Sequence, residues 1–248
     1  DEALSSYQRA LAAGPADAML HANILFNWAY LTDDPKVIAR DYQQWNACHA
    51  RPFSAQRRPH DNSRDPERRL RVGYVSADFR GHPVSCFLEP LLAHHDHGEV
   101  EIFCYSNSTA MDAITPRFRQ CADIWRPISG LSDEAVAELV RKDRIDILVD
   151  LSGYTGGNRL LVFARKPAPV QATYIGSLTT TALETIDYKL TDCLITPPDS
   201  AEWFSEEPIR LPGCFVCYHA PMHAPPVAVL PASAKRYVTI GSFNNLKK

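Results

Sequence analysis

The sequence has little that would direct the protein to a membrane or to nucleic acid. It has no run of about 18 apolar residues, and its N-terminal stretch lacks the apolar segment of a signal peptide. The formal net charge is only -3, so no general attraction to anionic partners follows. We therefore expect neither a membrane nor a nucleic-acid partner, and a cytoplasmic location.

The cysteines also lack the pattern of a disulfide framework or a metal site. The seven are Cys48, Cys86, Cys104, Cys121, Cys193, Cys214 and Cys217. Most stand in apolar stretches, which predicts small buried side chains in a reducing compartment. Cys214 and Cys217 have C-x-x-C spacing, but no second pair follows and no redox-type helix precedes them. The sequence therefore argues against a metal or redox role for this pair.

The N-terminal quarter is predicted to be helical. Residues 1–55 contain a single glycine, and apolar residues such as Tyr7, Ala10 and Leu11 recur at helical spacing. The order Tyr-x-x-Ala-Leu followed by proline resembles the last helix of a tetratricopeptide repeat, so we expect a repeat remnant with connecting helices. On sequence alone, His21 is expected to be an exposed helix histidine. Because the chain begins with Asp rather than Met, we expect it to be part of a longer polypeptide.

A solvated linker is predicted at 56–69, where prolines and charged residues predominate. From residue 70 to residue 218, strand-like and helix-like segments alternate, which predicts an α/β fold with a parallel sheet. The predicted strands are 72–75, 100–105, 123–128, 145–151, 170–175, 187–192 and 208–212. The predicted helices are 83–92, 111–122, 133–142 and 159–165, with Pro83 at the first helical position. A proline-rich linker at 219–236 precedes a further predicted strand at 237–243.

Three predicted strands end in loops that should meet at one edge of the sheet. The loops are Asp78–His82, Gly153–Asn158 and Gly176–Thr181, and each is rich in glycine, hydroxyl or polar side chains. Ligands of open α/β sheets bind at the carboxyl ends of the strands, so this edge is the predicted site. None of the loops matches G-x-G-x-x-G or the phosphate-binding P-loop, which disfavours a dinucleotide or nucleoside-triphosphate enzyme.

Four segments together resemble the O-linked N-acetylglucosamine transferase family, glycosyltransferase family 41, which includes the SPINDLY proteins. They are 71–85, containing His-Pro-x-Ser, 146–155, containing Gly-Tyr-Thr, 165–171, and 174–176. The resemblance implies a GT-B fold of two Rossmann-like lobes preceded by tetratricopeptide repeats, as in bacterial members. Residues 70–218 would be the N-terminal lobe. Residues 237–248 would be the first strand of a C-terminal nucleotide-binding lobe, and a separate chain could supply the rest of that lobe.

The same resemblance implies roles for individual residues. His82 and Asp78 would be the two candidates for the catalytic base. The implied donor-binding residues are His21, Pro83, Ile175, Gly176, Asn245 and Lys248, with Lys248 meeting the diphosphate. Two positions depart from the family pattern, since Val84 replaces a threonine and Leu178 replaces a proline.

The implied reaction is inverting transfer of N-acetylglucosamine from UDP-N-acetylglucosamine to Ser or Thr hydroxyls of proteins. No Asp-x-Asp motif occurs, and we expect no cofactor and no metal. Two alternatives stay open. One is a SPINDLY-like O-fucosyltransferase that uses GDP-fucose, and the other is a helical-repeat scaffold without catalysis.

Overall fold

The computed structural model describes residues 2–14, 17–28, 31–32, 34–220 and 224–242. The N-terminal segment is helical, as predicted, and forms three helices: α1 (Glu2–Ala13), α2 (Ala18–Trp28) and α3 (Pro35–Trp45). A π-helical turn (Asn46–Ala50) and a 3₁₀ turn (Arg51–Gln56) continue α3 and were not predicted. No helix in the described part of the chain is long and apolar enough to cross a membrane.

The helical segment packs directly onto the rest of the protein. Tyr42 and Trp45 of α3 are fully buried, and both rings make edge-to-face contacts with Tyr154, at 4.7 and 5.1 Å between centroids. The Trp45 indole N–H donates to the carbonyl of Ala18 at 2.9 Å. Because each buried aromatic ring removes a large apolar area from water, these contacts attach the helices firmly to the α/β part.

All seven predicted strands form, and they build one parallel sheet. They are β1 (Leu70–Ser76), β2 (Val100–Ser106), β3 (Ile124–Pro127), β4 (Ile147–Asp150), β5 (Val170–Thr173), β6 (Tyr188–Asp192) and β7 (Glu207–Leu211). The strand order is β3-β2-β1-β4-β5-β6-β7, and every neighbouring pair is parallel. Side chains alternate between two cores, with Val75 and Phe103 on one face and Val72 and Tyr74 on the other. The Rossmann-like lobe is confirmed.

Three of the four crossover helices are shorter than predicted, and the third in chain order has the predicted bounds of 133–142. They are α4 (Ser85–Ala93), α5 (Thr115–Cys121), α6 (Asp133–Lys142) and α7 (Leu160–Phe163). Pro83 is not the first residue of α4, because residues 82–84 form a preceding turn in which His82 O accepts from Ser85 N. The α5 helix begins only at Thr115, because the Asp112 carboxylate binds the Ile114 and Thr115 amides in a separate turn. Ser132 caps α6, and its hydroxyl accepts from Ala135 N.

At the amino edge of the sheet, the same arrangement of an aspartate with a strand amide and a basic side chain occurs three times. Asp123, Asp146 and Asp187 each stand one residue before a strand, and each accepts a backbone N–H from the neighbouring strand while pairing with a basic side chain. The partners are Ile102 N (2.7 Å) and Arg69 for Asp123, Arg71 N (2.8 Å) and Arg68 for Asp146, and Gln171 N (2.8 Å) and Lys166 for Asp187. These carboxylates satisfy strand-end amides that would otherwise lack partners.

The segment after β7 differs from the prediction. A short helix, α8 (Pro231–Lys235), interrupts the expected linker. The strand predicted at 237–243 does not form over the described residues 237–242, where Tyr237, Val238 and Ile240 are exposed. A strand needs a hydrogen-bonded neighbour, and no described strand lies beside this segment.

The expectation for the cysteines is largely wrong. Cys104 is buried in β2 and Cys121 is half-buried, but the other five are exposed free thiols. Cys48 lies in the π-helical turn, Cys86 in α4, and the remaining three beyond β6, where an apolar sequence context does not place the side chain in a core.

Candidate active site

The loops after β1, β4 and β5 touch one another, so the predicted convergence is confirmed. A Cβ added to Gly157 would lie 2.8 Å from the Ala77 Cβ, and one added to Gly153 would lie 2.6 Å from the Ser177 Cβ. Both glycines also have positive φ, at 74° and 54°. Larger residues would push the loops apart, which explains the glycines that the sequence places here.

The β1 loop is held at three points. The Ser76 hydroxyl accepts from Asp78 N at 2.9 Å, and the Ser85 hydroxyl lies within hydrogen-bonding distance of the carbonyls of Asp78 and Arg80. The Asp112 carboxylate accepts from Gly81 N at 2.6 Å, and this backbone hydrogen bond is the main cause that lowers the pKa of Asp112. Sequence reasoning quoted Ser85 only as part of a motif and missed Asp112, which is distant along the chain.

His82 and Asp78 lie side by side in this loop. His82 Nδ1 is 3.7 Å from Asp78 Oδ2, and the Asp78 carboxylate also pairs with Arg80 at 3.2 Å. The His82 side chain is 35% exposed, whereas that of Asp78 is 8% exposed. The Val84 amide points at His82 Nδ1 from 3.4 Å. Nε2 of His82 has no hydrogen-bond partner among the described residues, so it is the nitrogen that is open to a substrate.

A strained turn follows β5 at Ile175 and Gly176. Ile175 has φ of 62°, and Gly176 N donates to Tyr174 O at 2.7 Å, which together are typical of the rare classic γ-turn. Positive φ is a marked outlier for a β-branched residue, and such strain collects at ligand sites. A Cβ on Gly176 would lie 2.4 Å from Leu151 O, so this backbone presses against the end of β4.

Two buried charged side chains support the loop that continues from this turn. Lys189 in β6 is 3% exposed and donates to Ser177 O and Thr179 O at 2.8 and 3.0 Å. Burial lowers the pKa of Lys189. The equally buried Glu206 accepts from the Thr180 hydroxyl and the Thr181 amide. Neither residue was identified from sequence, because each reads as an ordinary strand or turn residue.

The β4 loop is anchored by Asp150, the last residue of that strand. Its carboxylate accepts from Ser152 N (3.1 Å), Gly153 N (2.9 Å) and the Thr173 hydroxyl (2.9 Å). Complete burial raises the pKa of Asp150, and these hydrogen bonds only oppose the shift. The carboxylate therefore connects β4, its loop and β5 at the point where the three loops meet.

His21 is not the exposed helix histidine expected from the sequence. It is half-buried, and its Nδ1 lies 3.0 Å from Nε2 of His49, a buried residue of the π-helical turn. Burial, followed by the neighbouring His49, lowers the pKa of His21, and burial likewise lowers that of His49. The same helix reaches the β4 loop, since the Asn158 amide contacts the Met19 sulfur at 3.6 Å.

The remaining candidate positions differ in exposure, and two of them lie outside the described residues. Pro83 is exposed beside His82, Val84 is half-buried against the core, and Leu178 is 52% exposed. Asn245 and Lys248 lie outside the described residues. Among the described residues, no group of three or more His, Cys, Asp or Glu is arranged to hold a metal ion.

Comparison with solved structures identifies the same architecture elsewhere. The chain superposes on a mutant of the Thermobaculum terrenum O-GlcNAc transferase with a TM-score of 0.84 and 38% sequence identity. The match covers 91% of this chain and 43% of that one.

Curated relatives agree with this match. The chain is 46% identical over 192 residues to an Arabidopsis thaliana protein described as the probable UDP-N-acetylglucosamine–peptide N-acetylglucosaminyltransferase SPINDLY, covering 76% of this chain and 21% of the relative. It is 32% identical over 217 residues to the Caenorhabditis elegans UDP-N-acetylglucosamine–peptide N-acetylglucosaminyltransferase, covering 84% and 17%. The chain thus spans about a fifth of the length of these relatives. The model of glycosyl transferase family 41 matches residues 40–228, and the chain belongs to this family.

Proposed function

We propose that this chain is part of an enzyme that transfers N-acetylglucosamine from UDP-N-acetylglucosamine to Ser or Thr hydroxyls of proteins, with inversion. The observation that carries the proposal is the pairing of a half-exposed His82 with a buried Asp78 at the edge where three loops meet. The strained turn at Ile175 faces the same edge. The names of the relatives supply the donor and the acceptor class.

His82 is the better of the two base candidates. In the transfer, the acceptor oxygen bonds to the anomeric carbon, the bond from that carbon to the diphosphate breaks, and the hydroxyl proton must leave. Nε2 of His82 is open to take that proton, whereas the carboxylate of Asp78 is buried and already bound to Arg80. A base must reach the proton it removes, so exposure favours His82.

Asp78 then acts through His82. For Nε2 to accept a proton, the ring must carry its other hydrogen on Nδ1, and that hydrogen would point at Asp78 Oδ2. The present separation of 3.7 Å exceeds hydrogen-bonding distance, and the Val84 amide competes for Nδ1. Catalytic hydrogen bonds are often long without substrate and shorten in the complex. An ionised Asp78 also stabilises the imidazolium that forms.

The departing diphosphate needs positive charge, because it gains charge as the bond breaks. In our proposal Lys248 supplies it, with Asn245 on the nucleotide side, within a C-terminal lobe that completes the donor site. We accordingly expect the 248-residue chain alone to bind UDP weakly and to transfer nothing. Micromolar binding of UDP to this chain in calorimetry would place the nucleotide in the lobe described here and contradict that part of the proposal.

A donor panel with the full-length protein tests the activity. The protein is incubated with an acceptor protein and either UDP-N-acetylglucosamine or GDP-fucose, and intact mass reports the transferred sugar. The expected result is transfer from UDP-N-acetylglucosamine that the His82→Ala variant loses. Transfer from GDP-fucose alone would establish the fucosyltransferase alternative. If the protein is folded by circular dichroism but transfers sugar from neither donor, the result would favour the alternative of a helical-repeat scaffold without catalysis.

A further inference from the structure

Two exposed thiols flank a hydrogen-bonded anchor next to the candidate site. Cys214 and Cys217 are free and exposed, and they follow Gly213, whose φ is 85°. The backbone bends at both intervening residues, Phe215 and Val216. Bends at both intervening residues bring the backbones of Cys214 and Cys217 closer together than an extended chain would, which the sequence spacing alone does not establish.

The anchor is the hydroxyl of Tyr174, the residue that follows β5. It donates to Phe215 O at 2.7 Å, and the two rings meet edge to face with centroids 6.2 Å apart. Burial raises the pKa of Tyr174 to about 12, with the Cys217 and Cys214 thiols adding to the shift and the Cys217 amide opposing it. Both thiols are therefore near enough to act electrostatically on this hydroxyl.

The segment between the thiols is fixed from a second side. Phe215 N donates to Asp192 Oδ2 at 2.9 Å, and Phe215 packs partly buried against the core that contains Tyr174. Phe215 is thus held by two hydrogen bonds and a ring contact, while the thiols on either side of it remain accessible. A disulfide between the two thiols would span Phe215, which these contacts already hold in place.

We propose that Cys214 and Cys217 are a redox modification site, forming a reversible disulfide that locks the Phe215 anchor onto Tyr174. A hydroperoxide serves as the oxidant. One thiolate attacks the peroxide oxygen, giving a sulfenic acid and releasing water or an alcohol. The second thiol then displaces the sulfenic hydroxyl as water, forming the S–S bond. The two thiols lose two electrons and two protons, and the peroxide gains them.

The disulfide would act on the strained turn. Tyr174 O accepts the Gly176 amide across Ile175, so the residue that carries the anchor also closes this turn. Holding Phe215 in place restricts the Tyr174 side chain and, through it, the opening of the turn. Oxidation therefore protects the Gly176 amide from exchange with solvent, because exchange requires that hydrogen bond to open.

The full-length protein is reduced, treated with hydrogen peroxide or left untreated, and alkylated before peptide mapping. The expected result is a 214–217 disulfide that dithiothreitol reverses, with severalfold slower hydrogen–deuterium exchange in peptides covering 174–176. Cys214→Ser and Cys217→Ser should each abolish both changes. Cys48→Ser removes an exposed thiol in the helical segment and should leave both intact.

Three outcomes would overturn the proposal. The first is a disulfide that joins Cys193, next to Asp192, to either cysteine. The second is irreversible oxidation of one thiol with no cross-link. The third is a 214–217 disulfide without slower exchange at 174–176. None of these readouts depends on the transfer reaction, so they separate this site from the proposed activity.

Discussion

The two ends of β4 carry aspartates with opposite electrostatic behaviour. Burial alone would raise the pKa of Asp146, before the strand, but hydrogen bonds from Arg68, the Arg71 amide and Asn62 outweigh it, and the pKa is lowered. Burial raises the pKa of Asp150, at the end of the strand, and its neutral donors do not overcome it. Asp146 is hydrogen-bonded to a cation, whereas Asp150 is hydrogen-bonded to neutral donors and the positive charge of Lys189 does not overcome its burial.

The difference extends to the two edges of the sheet. At the amino edge, Asp123, Asp146 and Asp187 pair with cations and strand amides, so each of these carboxylates has both a cationic partner and a backbone donor. At the carboxyl edge, the loops are held by hydroxyls and amides together with the buried charged side chains of Asp150, Lys189 and Glu206. Ile175 is strained there, and Nε2 of His82 has no described partner. We infer that the first edge contributes mainly to stability and the second mainly to activity. The predictions below test that division.

The largest expected effect is on turnover at the carboxyl edge. His82→Ala in the full-length protein should lower kcat by about 10²–10⁴-fold, the usual contribution of a general base. Thermal stability should change little because the side chain is half-exposed, and nucleotide affinity should change little because the proposed role of His82 is toward the acceptor. Steady-state kinetics and UDP calorimetry measure these quantities.

The matched control is His94→Ala, which removes an exposed histidine from the residue after α4. It should leave kcat unchanged. Equal turnover in the wild type and His82→Ala would eliminate His82 as the base and transfer that role to Asp78.

At the amino edge the expected effect is on stability. Asp146→Asn should reduce the free energy of unfolding by about 1.5–3 kcal/mol, the range for hydrogen bonds to charged groups. The side chains of Asp146 and Arg68 are 7% and 25% exposed, so solvent screens this pair only partly. Urea denaturation measures the loss, and kcat of the folded enzyme should stay the same.

Glu138→Gln provides the comparison, because Glu138 also pairs with arginines but its side chain is 46% exposed. Exposed pairs contribute little, so this variant should unfold within about 0.5 kcal/mol of the wild type. A fall in kcat for Asp146→Asn as large as that for His82→Ala would contradict the division between edges.

A smaller effect is expected at the strained turn. Gly176→Ala would place a Cβ against Leu151 O and the Ser152 backbone, which cannot move aside as a side chain could. The cost should be about 1–3 kcal/mol of stability, typical of overpacking. The donor KM should also rise as the turn shifts. Gly156→Ala is the control, since nothing lies within 4 Å of its added Cβ. Identical kinetics in both variants would show that the turn does not contact the donor.

Much of this fold could be predicted because strands depend on local apolar runs. All seven strands and their parallel arrangement followed from alternation of strand-like and helix-like segments. Helix ends were less predictable, since the start of α5 depends on the Asp112 side chain. The strand expected at 237–243 was wrong over the described part, because pairing requires a neighbour that local sequence does not reveal.

The site could be predicted only in outline. The convergence of three loops followed from topology, and His82 with Asp78 came from a family motif. The His21–His49 contact, the supporting role of Lys189 and the anchor between Tyr174 and Phe215 all join residues distant in sequence. No local pattern marks such pairs. The exposure of Cys214 and Cys217 was missed for the same reason, since it depends on where β7 places the following segment.

The smallest expected effect is a difference in the pH dependence of stability, and it tests the two ends of β4 directly. Asp146 has a folded pKa below its ordinary value of 3.8, so its contribution is complete above that pH and is lost as the pH falls through the folded pKa. Asp150 has a raised folded pKa, so its contribution is present below pH 3.8 and is lost as the pH rises through the folded value. Urea denaturation of the wild type, Asp146→Asn and Asp150→Asn across this range separates the two. The disadvantage of Asp146→Asn relative to the wild type should shrink below pH 3.8, whereas Asp150→Asn should gain on the wild type as the pH rises above it. Parallel shifts of both variants in the same window would mean that the two carboxylates share one environment, and that the edges of the sheet do not differ as proposed.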